Sequence, residues 1–307
     1  MAVPLRRKCQ FGYAIQALEG TAMLEADMVM LPLPAGESLV DDMHKEVIDY
    51  ADGYAMQRDY YEKGRWAEGD VQLPMLPSYL GDLLDWALTV DGEAQTQFAT
   101  LWVGYNGLVR KYYDVKVASG KLTHSAGDLP QLTFTVRAKK VDDTHSDDFA
   151  SATLIEARAY ANKNVTFSLD VDGSSPVASC ILHEFSVEWD NQVMSGEDGM
   201  RICPYVFPYK LDNGGHPVVT GTLSEDFRST ALYAAWLAEN EGSLTYVMTQ
   251  THNSTPYTAT LSLPRIFYPS RGHPNIPDGD QFLKNEVPFI ALGAMDGSVG
   301  PITWAEV

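Results

Sequence analysis

A set of segments occurs twice along this chain in the same order, and that repetition limits what it can fold into. The first series is a glycine-marked strand at 69–73, a helix at 78–88, and strands at 98–105, 111–117 and 132–136. The second is a glycine-marked strand at 221–224, a helix at 228–240, and strands at 243–250, 258–263 and 287–292. Gly69 and Gly221 are 152 residues apart, as are Leu80 and Leu232 on the same helix face. Upstream of each glycine lies a long polar stretch, 35–66 and 190–218, preceded by alternating strands at 9–17 and 181–189. Strand–helix–strand–strand also arises by chance in α+β chains, but shared order, matched spacing and shared charge favour duplication. The units are expected at 1–145 and 146–307. A polar connector at 141–150, carrying Asp142, Asp143, Asp147 and Asp148, lies between them.

The strands are read from period-two alternation. Ile181, His183, Phe185, Val187 and Trp189 interleave with Glu184, Ser186 and Glu188, as a half-buried strand requires. His183 on that apolar face reads as a satisfied core histidine. The helix at 78–88 rests on Leu80, Leu83, Leu84, Ala87 and Leu88 at helical spacing, with Ser78 available as cap. In 228–240, Leu232, Ala235 and Trp236 make a comparable stripe, with Gly242 placed to end it. Residues 41–61 mix helix formers with Gly53 and read as either a helix or an ordered loop.

Charge narrows the function. The 22 basic and 41 acidic side chains leave −19 at pH 7. Residues 1–148 carry −9 of this and residues 149–307 carry −10, so both units are acidic. Such a field repels phosphate backbones and anionic lipid surfaces, although acidity also serves solubility alone. Cys9, Cys180 and Cys203 are odd in number and widely spaced, which argues for reduced thiols in a cytosol. No signal core or membrane-spanning run is expected, so the protein is read as soluble, made in a cytoplasm.

Enzyme signatures are thin. The nucleophile elbow, the P-loop, the dinucleotide fingerprint and His-Glu-x-x-His are all missing from the sequence. The aspartate pairs 41–42, 142–143 and 147–148, and Asp278 with Asp280, read as solvated surface rather than as acid and base. Asp190-Asn191 and Asp212-Asn213-Gly214 read as turns. No cofactor or metal site is expected. The aromatics point elsewhere. Tyr50, Tyr54, Tyr60 and Tyr61 lie in the charged first insertion, and Tyr205, Phe207 and Tyr209 in the second. Long aromatic loops bury against something, and a partner subunit is the natural candidate.

Three features resemble the tail tube proteins of long-tailed bacteriophages, in a duplicated form. One is the run 63–74 leading into Leu80-Gly81-Asp82-Leu83-Leu84, similar to that family's glycine-marked strand and helix. Another is 184–191 followed by 218–223, similar to its strand, long hairpin and return strand. The third is the duplication itself. The resemblance implies a mainly β fold of two tandem β-sandwich or barrel units, each of two antiparallel sheets flanked by one α-helix. It implies edge-to-edge joining into rings around a channel, with a long loop coupling successive rings. Two units per chain would give trimeric, pseudo-hexameric rings with an acidic lumen through which DNA passes without adhering. The implied partners are further copies, a tape measure protein, a tail terminator and distal tail proteins. The implied location is the virion tail, assembled in host cytoplasm. Residues 141–178 and the insertion 35–61 are not placed by this resemblance. The residues leave other readings open: a carbohydrate-binding or adhesin-like β-sandwich, a glycoside hydrolase using loop aspartates, or a tube-like ring protein of another contractile or secretion assembly.

Overall fold

Where apolar and polar residues alternate, the chain is strand, and among the described residues the strands link into one hydrogen-bonded network of 17. The computed structural model describes residues 9–31, 38–48, 59–88, 97–105, 108–142, 149–155, 157–171, 177–178, 182–201, 207–226, 234, 237–270, 273–275, 284–295 and 299–307. The first half contributes β1 (Cys9–Gln16), β2 (Val29–Leu31), β3 (Val40–Ile48), β4 (Asp59–Pro74), helix α1 (Leu80–Ala87), β5 (Phe98–Tyr105), β6 (Leu108–Ser125) and β7 (Gln131–Asp142). Then come β8 (Thr153–Leu154), β9 (Val165–Asp170), β10 (Val177–Ala178), β11 (Leu182–Asp190) and β12 (Val218–Asp226). The chain ends with β13 (Gly242–His252), β14 (Thr255–Phe267), β15 (His273–Asn275), β16 (Lys284–Leu292) and β17 (Thr303–Glu306). The fold is mainly β, and every pairing is antiparallel except β2 with β8.

One pairing scheme runs through both halves. In the first, β2 pairs β1, β1 pairs β5, β5 pairs β6, β6 pairs β7, β7 pairs β4 and β4 pairs β3. In the second, β10 pairs β9, β9 pairs β13, β13 pairs β14, β14 pairs β16, β16 pairs β12 and β12 pairs β11. One irregularity corresponds as well. The β5–β6 ladder shifts register between Ala99 and Leu101, and the β13–β14 ladder between Gly242 and Leu244. The halves differ in that β15 and β17 add to β16 and β14.

The halves share a core. In β11 only Phe185, Val187 and Trp189 are buried; His183 is half-buried beside a register shift between Leu182 and Glu184, not a core residue as alternation predicts. Trp86 of α1 meets the Phe134 ring edge-on at 6.3 Å, and Phe134 meets Trp189 at 6.0 Å. Phe185 stacks on Tyr246 at 5.2 Å. Each buried ring of this size adds roughly 0.5–1.5 kcal/mol per favourable pair beyond its burial.

Helix α1 is shorter than the 78–88 expected, and its cap is not Ser78. Ser78 takes a left-handed φ of 81°, and Tyr79 at the N-cap makes no side-chain capping bond. The Glu306 carboxylate supplies the cap, receiving the Ser78 N–H at 3.1 Å and the Gly81 N–H at 3.1 Å. At the other end, the Ala87 carbonyl accepts from Trp189 Nε1 (3.1 Å) and Asn191 Nδ2 (2.8 Å). Leu80, Leu83, Leu84, Ala87 and Leu88 are all buried, as helical spacing requires. Of the expected helix 228–240, Ala234 and Leu237 are helical and Ala238 N–H donates to the Ala234 carbonyl; 238 and 239 form a turn, and 228–233 and 235–236 lie outside the described residues. Glu239, at φ 54°, makes the left-handed turn expected of Gly242, which instead opens β13.

The stretch 41–61 is neither helix nor loop at its described positions. β3 pairs β4 from Val40↔Glu68 to Ile48↔Asp59, so the first insertion is a hairpin and β4 extends far beyond 69–73. Polar residues mask the alternation there, so the strand is recognised by its pairing with β4.

Candidate assembly interface

Strand β11 belongs to the second half yet pairs on both edges, with β12 and with β6 of the first half. Its β6 partners run from Glu184↔Ser125 to Asp190↔Ser119. Lys121 and Glu188 face each other across this join at 3.6 Å, both well exposed, so the pair contributes little energy and mainly favours this register. Gly120 lies under the Trp189 indole, where any Cβ would overlap the ring. That close approach requires glycine.

Above the join, His124, His183, Phe167, Phe185 and Tyr246 line a cleft of about 300 Å³. His124 Nδ1 and the Tyr246 hydroxyl stand 3.0 Å apart. Burial lowers the His124 pKa below its ordinary 6.5, opposed by Asp128 and Asn162. Burial raises the Tyr246 phenol, which keeps it neutral. A neutral imidazole and a neutral phenol suit a structural hydrogen bond.

The join is reinforced from the second insertion. Val193 bridges Asn213 there, and Asp190 Oδ1 receives the Gln192 N–H at 2.8 Å, the turn chemistry expected at 190–191. Asn191 is fully buried and donates to both Ala87 O and Val117 O, a structural role its turn reading missed. Arg137 of β7 pairs with Glu68 of β4 at 3.0 Å and donates to the Val193 carbonyl. Gly196 lies against the Trp66 indole. The described residues 191–201 and 207–213 are thereby seated on β4, β6 and β7.

Two strand edges contrast with this covered one. Among the described residues, β3 pairs only β4, and β15 pairs only β16. Of the sequence-derived contact residues, Tyr60 and Tyr61 lie in β4, opposite Val47 and Glu46. Phe207 is half-buried, and Tyr209 is 57% exposed with the Lys139 ammonium 5.8 Å from its ring centroid. Tyr50, Tyr54 and Tyr205 lie outside the described residues. Asp41 and Asp42 fall in β3 and Asp142 ends β7, where it accepts the Tyr113 hydroxyl at 3.3 Å. Among the described residues no group of three or more His, Cys, Asp or Glu could hold a metal ion. None of their helices is long and apolar enough to cross a membrane.

Among the described residues, strands covered on one edge and open on another make a β-rich protein whose open edges are able to take further strands. A family model described as phage tail tube protein matches residues 7–291, and the chain belongs to that family. It is therefore a structural protein of the virion tail, self-assembling into a tube alongside other tail proteins. No curated protein sequence matches the chain.

Proposed function

We propose that the chain is two fused tube units, 1–145 and 146–307, and that three chains close one pseudo-hexameric ring of the tail tube. The observation that carries this reading is the pairing scheme β2–β1–β5–β6–β7–β4–β3, repeated as β10–β9–β13–β14–β16–β12–β11. The glycines support it independently. A Cβ on Gly69 would collide with the Ser38 carbonyl, and one on Gly221 with the Ser186 carbonyl. Ser38 lies just before β3 and Ser186 in β11, each opposite its glycine, which supports the same close approach in both units.

Stacked rings enclose a channel for DNA, and the charge of −19, shared between both units, gives it an acidic wall. At physiological salt the repulsion reaches roughly 8 Å from that wall, the range in which a phosphate backbone would adhere. The hairpin β3–β4, the 190–218 insertion and the contact set Tyr50, Tyr54, Tyr60, Tyr61, Tyr205, Phe207 and Tyr209 couple neighbouring rings. Tape measure, terminator and distal tail proteins are the expected partners at the tube's interior and ends, and assembly takes place in the host cytoplasm.

Negative-stain electron microscopy of concentrated protein tests the reading. Hollow rods, or rings of sixfold appearance built from three chains, are expected; a monomer at every concentration would sink it.

A further inference from the structure

We propose that the interface between neighbouring chains in a ring repeats the β6–β11 join, with Ser38–Val40 of one copy laid antiparallel on His273–Asn275 of the next. This rests on the two-unit reading above and names the strands that meet.

The internal join supplies the register. In the first half Gly69 pairs Val136, Lys121 pairs Thr133 and Thr123 pairs Gln131. In the second half Gly221 pairs Phe289, His273 pairs Glu286 and Asn275 pairs Lys284. Aligning the two ladders on their glycines places Lys121 on His273, Leu122 on Pro274 and Thr123 on Asn275. β15 is thus the counterpart of the part of β6 that β11 covers, and its other edge takes no strand among the described residues. On the opposite side, Val187 pairs Gly221, and Ser38 donates its N–H to the Asp70 carbonyl beside Gly69. Ser186, Val187 and Glu188 then correspond to Ser38, Leu39 and Val40. Within the chain Ser186 pairs Thr123, Val187 pairs Leu122 and Glu188 pairs Lys121. Between chains the same register sets Ser38 opposite Asn275, Leu39 opposite Pro274 and Val40 opposite His273.

Hydrogen-bond parity agrees with this placement. Ala118 O receives the Asn191 N–H and Ala126 N–H donates to His183 O, so even-numbered β6 residues face β11. Leu122 is one of these, and its counterpart Pro274 brings a carbonyl but no N–H. Leu39 O, the acceptor opposite, instead receives the Tyr112 hydroxyl at 3.5 Å. A proline on a sheet edge also hinders indiscriminate strand addition, which suits an edge reserved for one partner.

His273 and Val40 point their backbone groups away from each other, so their Cα atoms should approach to about 4.5 Å, within disulfide reach. Oxidising the assembled Val40→Cys/His273→Cys variant should shift most of the chain from monomer to covalent dimer and trimer on non-reducing gels. The wild-type chain, with Cys9, Cys180 and Cys203, and the two single variants set the background. Ser38→Cys/Asn275→Cys gives a second reading should the first pair disturb folding. Rings seen in negative stain with neither pair cross-linking would overturn this junction and leave the ring standing. A cross-link that closes within one chain, seen as a fast-migrating monomer, would also overturn it. Monomers at every concentration would overturn junction and ring together.

Discussion

The carboxylate of Glu306 accepts the backbone N–H of Gly81 at 3.1 Å, across 225 residues of chain. The last strand of the second half therefore caps the first half's helix, while the same carboxylate receives the Tyr160 hydroxyl at 2.8 Å. A helix N-terminus leaves its first N–H groups without intrahelical partners, and an anionic acceptor satisfies both the bonds and the dipole. Glu306→Ala is expected to cost about 1–2 kcal/mol, the range for a lost cap. Thermal unfolding followed by circular dichroism would show the lowered midpoint; an unchanged midpoint would mean the cap contributes nothing.

Gly221 sits where a methyl group would overlap both the Ser186 carbonyl and the Phe289 ring. Gly221→Ala should destabilise the fold by roughly 1–3 kcal/mol, the usual cost of overpacking. Gly69→Ala should behave similarly, since the Ser38 backbone blocks its Cβ. Gly127, with open space around it but a φ of 92°, is strained by conformation rather than by contact, and its substitution separates the two causes.

Acid should loosen the join between the halves through His124. Its folded pKa is lowered by burial, so the unfolded chain binds the proton more tightly. The stability it contributes is complete above the unfolded value of 6.5 and is lost as pH falls through the folded value. Urea unfolding between pH 8 and pH 5 should show this decline, and His124→Gln should flatten it. An equal decline in both proteins would remove His124 from the account.

Assembly should separate from folding at the hairpin tip. Replacing residues 49–58 with a two-residue turn keeps β3 and β4 paired, and it should leave the melting midpoint nearly unchanged while abolishing rods. Tyr209→Ala should act in the same direction more weakly, since that ring is already mostly exposed. Sedimentation of assembled material reads both. Rods of normal yield from the tip replacement would show that another segment couples the rings.

The strands with apolar alternation were legible because burial on one face writes a period of two into the sequence. Phe98–Tyr105 and Val165–Asp170 appear where the pattern puts them. Val40–Ile48 was not legible, since Asp41, Asp42, His44, Lys45 and Glu46 break any apolar rhythm, and only its pairing with β4 makes it a strand. The cap on α1 was out of reach for another reason. Ser78 has the right chemistry at the right place, and nothing local reveals that Glu306 arrives from the far end of the chain to take the role. Asn191 reads as a turn residue, and it becomes a buried link only because α1 and β6 converge on it. The matched spacing behind the proposed duplication can be read from the sequence, whereas the join of β6 to β11 depends on contacts that sequence order does not encode.

Counting chains per ring in an assembled tube tests the central claim most directly. Cryo-electron microscopy of purified tubes should resolve three chains per ring, threefold symmetry at side-chain detail and near-sixfold symmetry in the backbone. Six chains per ring, each contributing one equivalent position, would contradict it.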